Sequence, residues 1–179
     1  MAGLNYSHAM TRRTFTKLWT AAAAATVAPA IIAKDPPAPA AEEAKLQSEF
    51  LLDLTIERGP SNNVGSVGVN RVVVPVVGGT FEGPRLKGTI VGPAGDWIIA
   101  RPDGSSVLDI RAVLQTDDNE KIYMTARGIA YTPKGGTLFA RILPVFETGS
   151  AKYSWLNNVV AVGVKRPMPG VAYRVYQIL

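Results

Sequence analysis

The sequence predicts an all-β domain, and three observations support that prediction. From Phe50 onward, short runs rich in β-branched residues are interrupted by Gly, Pro, Asn or Asp at intervals of about 8 to 15 residues. Apolar and polar residues alternate within several of these runs. After Leu54 no segment keeps an apolar period of 3.6 residues, so we expect little helix beyond short turns near residues 40–50 and 152–156.

The first predicted strands differ in how regular they are. The strand that begins near Phe50 places apolar side chains at every second position as far as Ile56. The run Val69–Val77 is rich in β-branched residues but contains Pro75, which predicts an edge or a bulge. The remaining strands are predicted at 87–91, 96–101, 107–115, 121–127, 138–143, 157–164 and 171–178.

The strand at 107–115 alternates most clearly. Leu108 and Ile110 lie on its apolar face, whereas Asp109 and Arg111 lie on the other. About eight antiparallel strands can protect their edges as a closed barrel or as a two-sheet sandwich. We favour an antiparallel barrel of about eight strands, because its polar positions are as well suited to lining a pocket as to facing water.

The N-terminal region resembles a twin-arginine export signal. Arg12 and Arg13 precede an uncharged, alanine-rich stretch from Leu18 to Ala33, and Ala28-Pro29-Ala30 offers a signal-peptidase site. An uncleaved membrane anchor is the alternative, but about 16 residues are short for a bilayer core. We expect a signal peptide over 1–33, the twin-arginine translocase as a partner and a periplasmic or secreted protein. The Pro- and Ala-rich stretch 34–47 is predicted to be a linker before a barrel domain at 48–179.

Composition excludes several kinds of chemistry. The chain has no Cys, and its single His, His8, lies in the predicted signal peptide. The mature domain therefore lacks the residues for a Ser-His-Asp or Cys-His nucleophile, an ordinary zinc or copper site, or a disulfide. We accordingly expect no cofactor and no bound metal.

The net charge of +5 is concentrated at the N-terminus. Three of the 19 basic residues lie in the predicted signal peptide, which contains no acidic residue, leaving 16 basic against 14 acidic residues. The remaining basic residues are spread singly rather than along a stripe, so we expect no nucleic-acid partner.

Residues suited to proton transfer occur on several predicted strands. Asp96 or Glu147 would act as a general acid or base if it pointed into the barrel, because desolvation raises a carboxyl pKa. Arg111 would then hold an anionic substrate or stabilise an enolate. In the alternative interpretation, Asp109 and Arg111 form a structural ion pair.

Ligand contacts are expected from a second group of side chains. Trp155 offers a surface for stacking on an aromatic ligand, although core packing is the common role of such a residue. Asp109, Arg111 and Tyr123 belong to the polar residues of the predicted strands, which are as well suited to lining a pocket as to facing water. The predicted ligand-binding residues are Asp109, Tyr123, Trp155 and Asn157.

Two further motifs suggest sites that their surroundings do not favour. Gly78-Gly79 is followed by neither a helix pattern nor a Lys-Ser/Thr pair, so a bulge or tight corner is favoured over a phosphate loop. The acidic run 117–120 lacks the ligand spacing of an EF-hand, so a hairpin turn is favoured over a calcium site.

Ordered motifs over about residues 48–179 resemble the family known as domain of unknown function 3237. They read GGTFEGP at 78–84, GDW at 95–97, RPDG at 101–104, DIR at 109–111, TDD at 116–118, FETG at 146–149 and YSWLN at 153–157. The resemblance implies a lipocalin-like or calycin-like β-barrel of about eight strands, commonly a homo-oligomer, with no established general activity. One turn that usually reads Thr-Asp-Asp-Gly ends here in Asn119, which tolerates the same left-handed conformation.

Two functions follow as hypotheses. The first is a cofactor-free lyase, isomerase or hydrolase acting on a small aromatic or carbonyl ligand inside the barrel. The second is a periplasmic protein that binds a small apolar or aromatic ligand without turnover. An acid/base carboxyl beside an arginine favours the enzyme, because a carrier has little need of one.

Overall fold

The computed structural model describes residues 45–66 and 68–179. The predicted signal peptide, 1–33, and most of the predicted linker, 34–47, lie outside these residues. The described chain forms ten strands and one short 3₁₀ helix, Ser154–Asn158. The strands are β1 (Ser48–Arg58), β2 (Asn62–Ser66), β3 (Asn70–Glu82), β4 (Lys87–Ile90), β5 (Gly95–Ala100), β6 (Ser106–Thr116), β7 (Lys121–Tyr131), β8 (Phe139–Glu147), β9 (Ala161–Lys165) and β10 (Val171–Ile178).

The strands form one antiparallel sheet that closes on itself. Its order is β1-β10-β9-β8-β7-β6-β4-β3, and β1 pairs with β3 to complete the ring. β5 also lies between β3 and β6, so β4 and β5 share one position and the barrel has eight. β2 extends from one end of β3 as a hairpin. The predicted all-β barrel is therefore confirmed.

Alternation along the strands directs one set of side chains inward. In β6, Leu108, Ile110, Ala112 and Leu114 are buried, as the sequence pattern predicts. The end of the barrel near the turn between β6 and β7 is called the closed end below, and the opposite end is called the open end. At the closed end the interior is filled by large side chains, including Phe81, Leu114, Ile122, Phe146 and Leu156.

A polar cluster joins the turn between β6 and β7 to the 3₁₀ helix. Asp118 accepts hydrogen bonds from Thr116 Oγ1 at 2.6 Å and from the Tyr153 hydroxyl at 2.9 Å, and it pairs with Lys152 at 2.5 Å. These contacts lower the pKa of Asp118, with Lys152 having the largest effect. Asn119 has a φ of 67°, so the left-handed turn predicted there is confirmed. The acidic run is thus a hairpin turn.

The glycine-rich stretch predicted to be a bulge lies where β1 meets β3. The register slips between Glu57 and Arg58, which leaves Val77 without a partner two residues after Pro75. Gly79 has a φ of 144°, and a Cβ there would overlap the Thr55 carbonyl oxygen. The stretch is therefore a close approach of two backbones.

Three secondary-structure predictions need correction. The helical turn expected near 40–50 is wrong at 48–50, which belong to β1, and residues 40–44 lie outside the described part. β2 was not predicted, because its pattern gives no strand signal: its five residues are all exposed, and all but Val64 are polar or small. The strand expected at 157–164 begins only at Ala161, since the 3₁₀ helix extends to Asn158. No helix of the described chain is long and apolar enough to cross a membrane.

Candidate functional site

The open end of the barrel contains a cavity of about 210 Å³. Small inward side chains create it: Ser106, Ala130 and Ala140 occupy the positions that large residues fill at the closed end. Its wall is mostly apolar. Its polar side chains are Arg58, Asp96, Ser106, Lys165 and Tyr173.

Asp96 projects into this cavity because of its register in the sheet. It lies opposite Val74 on β3 and Ile110 on β6, and both neighbours are buried on the inner face. Its Oδ1 accepts a hydrogen bond of 3.1 Å from the Asp109 amide. Burial raises the pKa of Asp96 to about 6, against the opposing effects of that hydrogen bond and of Arg58. The carboxyl therefore titrates near neutral pH.

Tyr173 is the second buried titratable group of the cavity. It is only 3% exposed and lies opposite Leu54 on β1 and Lys165 on β9, so it faces inward. Burial raises the pKa of Tyr173 to about 12, and the negative charge of Asp96 adds to the effect. The phenol thus stays neutral and keeps its O–H as a hydrogen-bond donor.

Two cations lie on the cavity wall near the open end. Arg58 is opposite Val76 at the end of β1, and Lys165 is opposite Tyr173 at the end of β9. Lys165 Nζ donates a hydrogen bond of 3.0 Å to the Arg166 carbonyl oxygen. A ligand in the cavity would therefore meet one carboxyl, one phenol and two positive charges.

Arg111, predicted to converge with Asp96, lies on the other side of the sheet. It is opposite Gly95, one residue from Asp96, and adjacent strand residues point to opposite faces. Its side chain is 53% exposed and approaches Asp109 at 3.4 Å. The expected convergence of Asp96 and Arg111 inside the barrel is therefore not found. Asp109 and Arg111 form the ion pair of the alternative interpretation, on the outer surface.

The other predicted site residues also lie outside the cavity. Tyr123 and Glu147 are paired across β7 and β8 and are exposed on the outer face. Asn157 holds a loop, since its side-chain amide bonds the backbone N–H and carbonyl of Thr148 at 2.8 and 3.0 Å. Trp155 is half-buried against the core, with the Arg85 guanidinium 3.5 Å from its ring centre. Of the seven predicted site residues, the structure places Asp96 alone in the cavity wall.

Sequence reasoning missed the other polar residues of the cavity. Tyr173 was detectable, because it alternates with Val171 and Val175 on the apolar side of the last strand. Arg58 and Lys165 gave no local signal, since each stands at the end of a strand where the alternation stops. Within residues 45–66 and 68–179, no group of three or more His, Cys, Asp or Glu is placed to hold a metal ion.

Comparison with known proteins places this fold in a wider group. Residues 46–178 match the family described as a protein of unknown function (DUF3237). A β-barrel-like protein from Acinetobacter baumannii AYE has a crystal structure that matches with a TM-score of 0.70 and 31% identity, covering 78% of this chain and 99% of that chain.

Two matches come from the fungus Penicillium herquei. The hydroalkoxylation enzyme phnH is 30% identical over 118 residues, which span 64% of this chain and 71% of the enzyme. A crystal structure of an enzyme from the same organism matches with a TM-score of 0.66 and 26% identity, covering 77% of this chain and 98% of that chain. The shared fold therefore occurs in a protein named as an enzyme.

Proposed function

The chain belongs to the DUF3237 family, and from the chemistry of its cavity we propose that it is a cofactor-free general acid–base enzyme. The reaction takes place at the open end of the barrel, on a small aromatic or carbonyl-containing molecule. One observation carries the proposal: Asp96 projects into an apolar cavity, and burial raises its pKa to about 6. An acid or base is most effective when its pKa lies near the working pH.

The relative named a hydroalkoxylation enzyme supports an addition reaction across a carbon–carbon double bond. In such a step, protonated Asp96 gives its proton to one alkene carbon, and the alkene π electrons form the new C–H bond. The oxygen of a substrate hydroxyl bonds to the other carbon. Its proton then passes to the Asp96 carboxylate, so the product is an isomer of the substrate and Asp96 is regenerated. The reverse reaction is an elimination of the lyase type.

Tyr173 has a supporting role in this reaction. Because its pKa of about 12 keeps it neutral, its hydroxyl can donate a hydrogen bond to an oxygen of the bound ligand and so orient the ligand beside Asp96. Asp96 and Tyr173 line the same cavity, so one ligand can contact both. Arg111 and Glu147 take no part in the proposal, since both lie on the outer face.

The test uses 2-(3-methylbut-2-enyl)phenol, which carries a hydroxyl and an alkene in one small aromatic molecule. Cyclisation to an isomer of equal mass is followed by chromatography with the full-length protein at pH 5 to 8. We expect turnover that declines above about pH 6 and an Asp96→Asn variant at least about a hundredfold slower. Glu147→Gln is the matched control, because it makes the same chemical change on the outer face and should retain activity.

Three results would contradict the proposal. If Asp96→Asn and Glu147→Gln were equally active, Asp96 would not be the acid. If the wild type bound the phenol without converting it, binding without turnover would be the better description. A wild-type rate that rose with pH from 5 to 8 would exclude a protonated acid as the reacting form.

We also propose that the protein is exported by the twin-arginine route and acts outside the cytoplasm. The paired residues Arg12 and Arg13 and the uncharged stretch after them support this location. A variant with both arginines changed to lysine should accumulate in the cytoplasm at full length. Equal export of that variant and the wild type would contradict the route.

A further inference from the structure

A groove adjoins the cavity at the open end of the barrel and is called the mouth groove below. It has a volume of about 740 Å³ and shares Leu138 and Lys165 with the cavity wall, so the two spaces adjoin at these two residues on the rim of the barrel. Its other walls include Tyr131, Phe139, Arg141, Arg166 and Met168. Phe139 and Arg141 flank the inward-facing Ala140 and so face the outer side of the sheet. A molecule that extends from the cavity reaches them by passing over Leu138 and Lys165 at the rim.

The mouth groove is positively charged. Arg141, Lys165 and Arg166 line it, and none of its lining residues is acidic. Arg166 pairs with Asp53 at 3.2 Å. Among the described residues, Arg141 and Lys165 have no carboxylate partner, and their side chains donate hydrogen bonds to carbonyl oxygens at 2.9 and 3.0 Å. Both side chains keep N–H donors available for an anion.

The same groove presents an apolar surface. The rings of Tyr131 and Phe139 lie 4.9 Å apart, and the Arg141 guanidinium lies 4.2 Å from the Phe139 ring centre. Met168, which is 41% exposed, also lines the groove. Aromatic faces beside a guanidinium suit a flat, apolar ligand that carries a negative charge.

Size indicates that the ligand uses both spaces. The cavity of about 210 Å³ is smaller than the roughly 300 to 1,000 Å³ usual for small-molecule sites. The cavity accommodates the part of a molecule that reaches Asp96, and a larger molecule must place its remainder in the mouth groove.

We infer that the substrate is an aromatic anion longer than the cavity, whose charged group lies in the mouth groove against Arg141 and Lys165. That this anion is converted as a substrate rests on the proposed function, whereas its binding at the mouth groove does not. The reacting part enters the apolar cavity, and the carboxylate, sulfonate or phenolate of the same molecule stays at the mouth. Lys165 contacts both spaces and fixes the direction of entry.

The test compares two fluorescent probes on the full-length protein. 8-Anilinonaphthalene-1-sulfonate carries a sulfonate, and N-phenyl-1-naphthylamine has the same rings without it. We expect the wild type to bind the sulfonate about tenfold more tightly, a preference that falls with added salt. Arg141→Gln and Lys165→Gln should each weaken sulfonate binding about threefold or more and change binding of the neutral probe less than twofold.

Two control variants show which part of the barrel determines probe binding. Lys87→Gln removes the same charge at the closed end, where Lys87 pairs with Asp117 at 3.1 Å, and should leave both affinities unchanged. Ala140→Leu fills the cavity and should weaken both probes. Retained binding of the neutral probe shows that each glutamine variant is folded.

The inference is overturned if the neutral probe binds as tightly as the sulfonate, or if Lys87→Gln has the same effect as Lys165→Gln. These outcomes are distinct from failure of the proposed function. Cyclisation of the neutral phenol depends on Asp96 and does not need the groove cations, so one proposal can fail while the other stands.

Discussion

Replacing Asp96 with asparagine should stabilise the protein at pH 8 and have no such effect at pH 4. The carboxyl ionises near pH 3.8 in an unfolded chain and near pH 6 in the folded protein. Between these values unfolding releases a proton, so a rise in pH favours the unfolded state. Ionised Asp96 therefore lowers stability above about pH 6, and this loss is absent below about pH 4.

The size of the effect follows from the two pKa values. The difference between 3.8 and about 6 corresponds to about 3 kcal/mol for ionising Asp96 in the folded protein. Because the side chain is partly exposed to solvent, we expect roughly half of this, about 1.5 kcal/mol. Asparagine stays neutral, and its side-chain oxygen can still accept the Asp109 amide hydrogen bond. With a urea dependence of about 2 kcal/mol/M, the midpoint at pH 8 should rise by about 0.7 M.

Urea unfolding of the two proteins at pH 4 and pH 8 measures this difference. Other titrating groups are common to both proteins and cancel when the proteins are compared at one pH. Glu147→Gln, on the outer face, should change the midpoint little at either pH. A midpoint for Asp96→Asn at pH 8 that is equal to or below that of the wild type would refute the claim that Asp96 is held in an unfavourable environment.

Three further predictions concern parts of the barrel away from the cavity. Gly79→Ala should lower the free energy of unfolding by about 2 kcal/mol or more, because the φ of Gly79 is positive and the backbone of β1 leaves no room for a Cβ. Gly149→Ala is the control and should be nearly neutral, since a Cβ there meets open space. Thermal melting of the two variants compares these effects. Asp118→Ala should destabilise the protein more at pH 7 than at pH 2, since pairing with Lys152 lowers the Asp118 pKa and its contribution is lost as the pH falls; urea midpoints at the two pH values measure this. We also expect a homo-oligomer, and Leu143, which is 57% exposed on the outer face, tests this. Leu143→Lys should shift the sedimentation coefficient from the wild-type value towards that of a monomer. A wild type that already sediments as a monomer would contradict the prediction.

Local sequence patterns were sufficient to predict most of the fold. β6 was predicted almost in full, because Leu108 and Ile110 alternate with polar residues and turn residues stand at both ends. β2 was not, because its exposed residues pair with β3 alone and bury nothing. Such a strand is specified by its partner rather than by its own sequence.

The site was only partly predictable, for a reason that the strand β6 makes clear. A barrel with an apolar interior must direct the polar face of an alternating strand outward, so Asp109 and Arg111 belong on the surface once Leu108 and Ile110 are inside. In β5 the pattern is ambiguous, since Asp96 and Ile98 face inward while Trp97 is 42% exposed. The pairing of Asp96 with Val74 and Ile110 determines that its side chain points inward, and the sequence around Asp96 does not reveal this pairing.

The cavity results from a gradient in side-chain size along two neighbouring strands. The inward residues of β7 decrease from Ile122 at the closed end to Ala130 at the open end, and those of β8 decrease from Phe146 to Ala140. Because the backbone spacing of the strands is constant, smaller side chains must leave space at the open end. The closed end supplies the packed core, so the open end can hold an ionisable carboxyl that costs stability. The closed end of the barrel therefore provides the stability, and the open end of the same strands provides the site of the proposed chemistry.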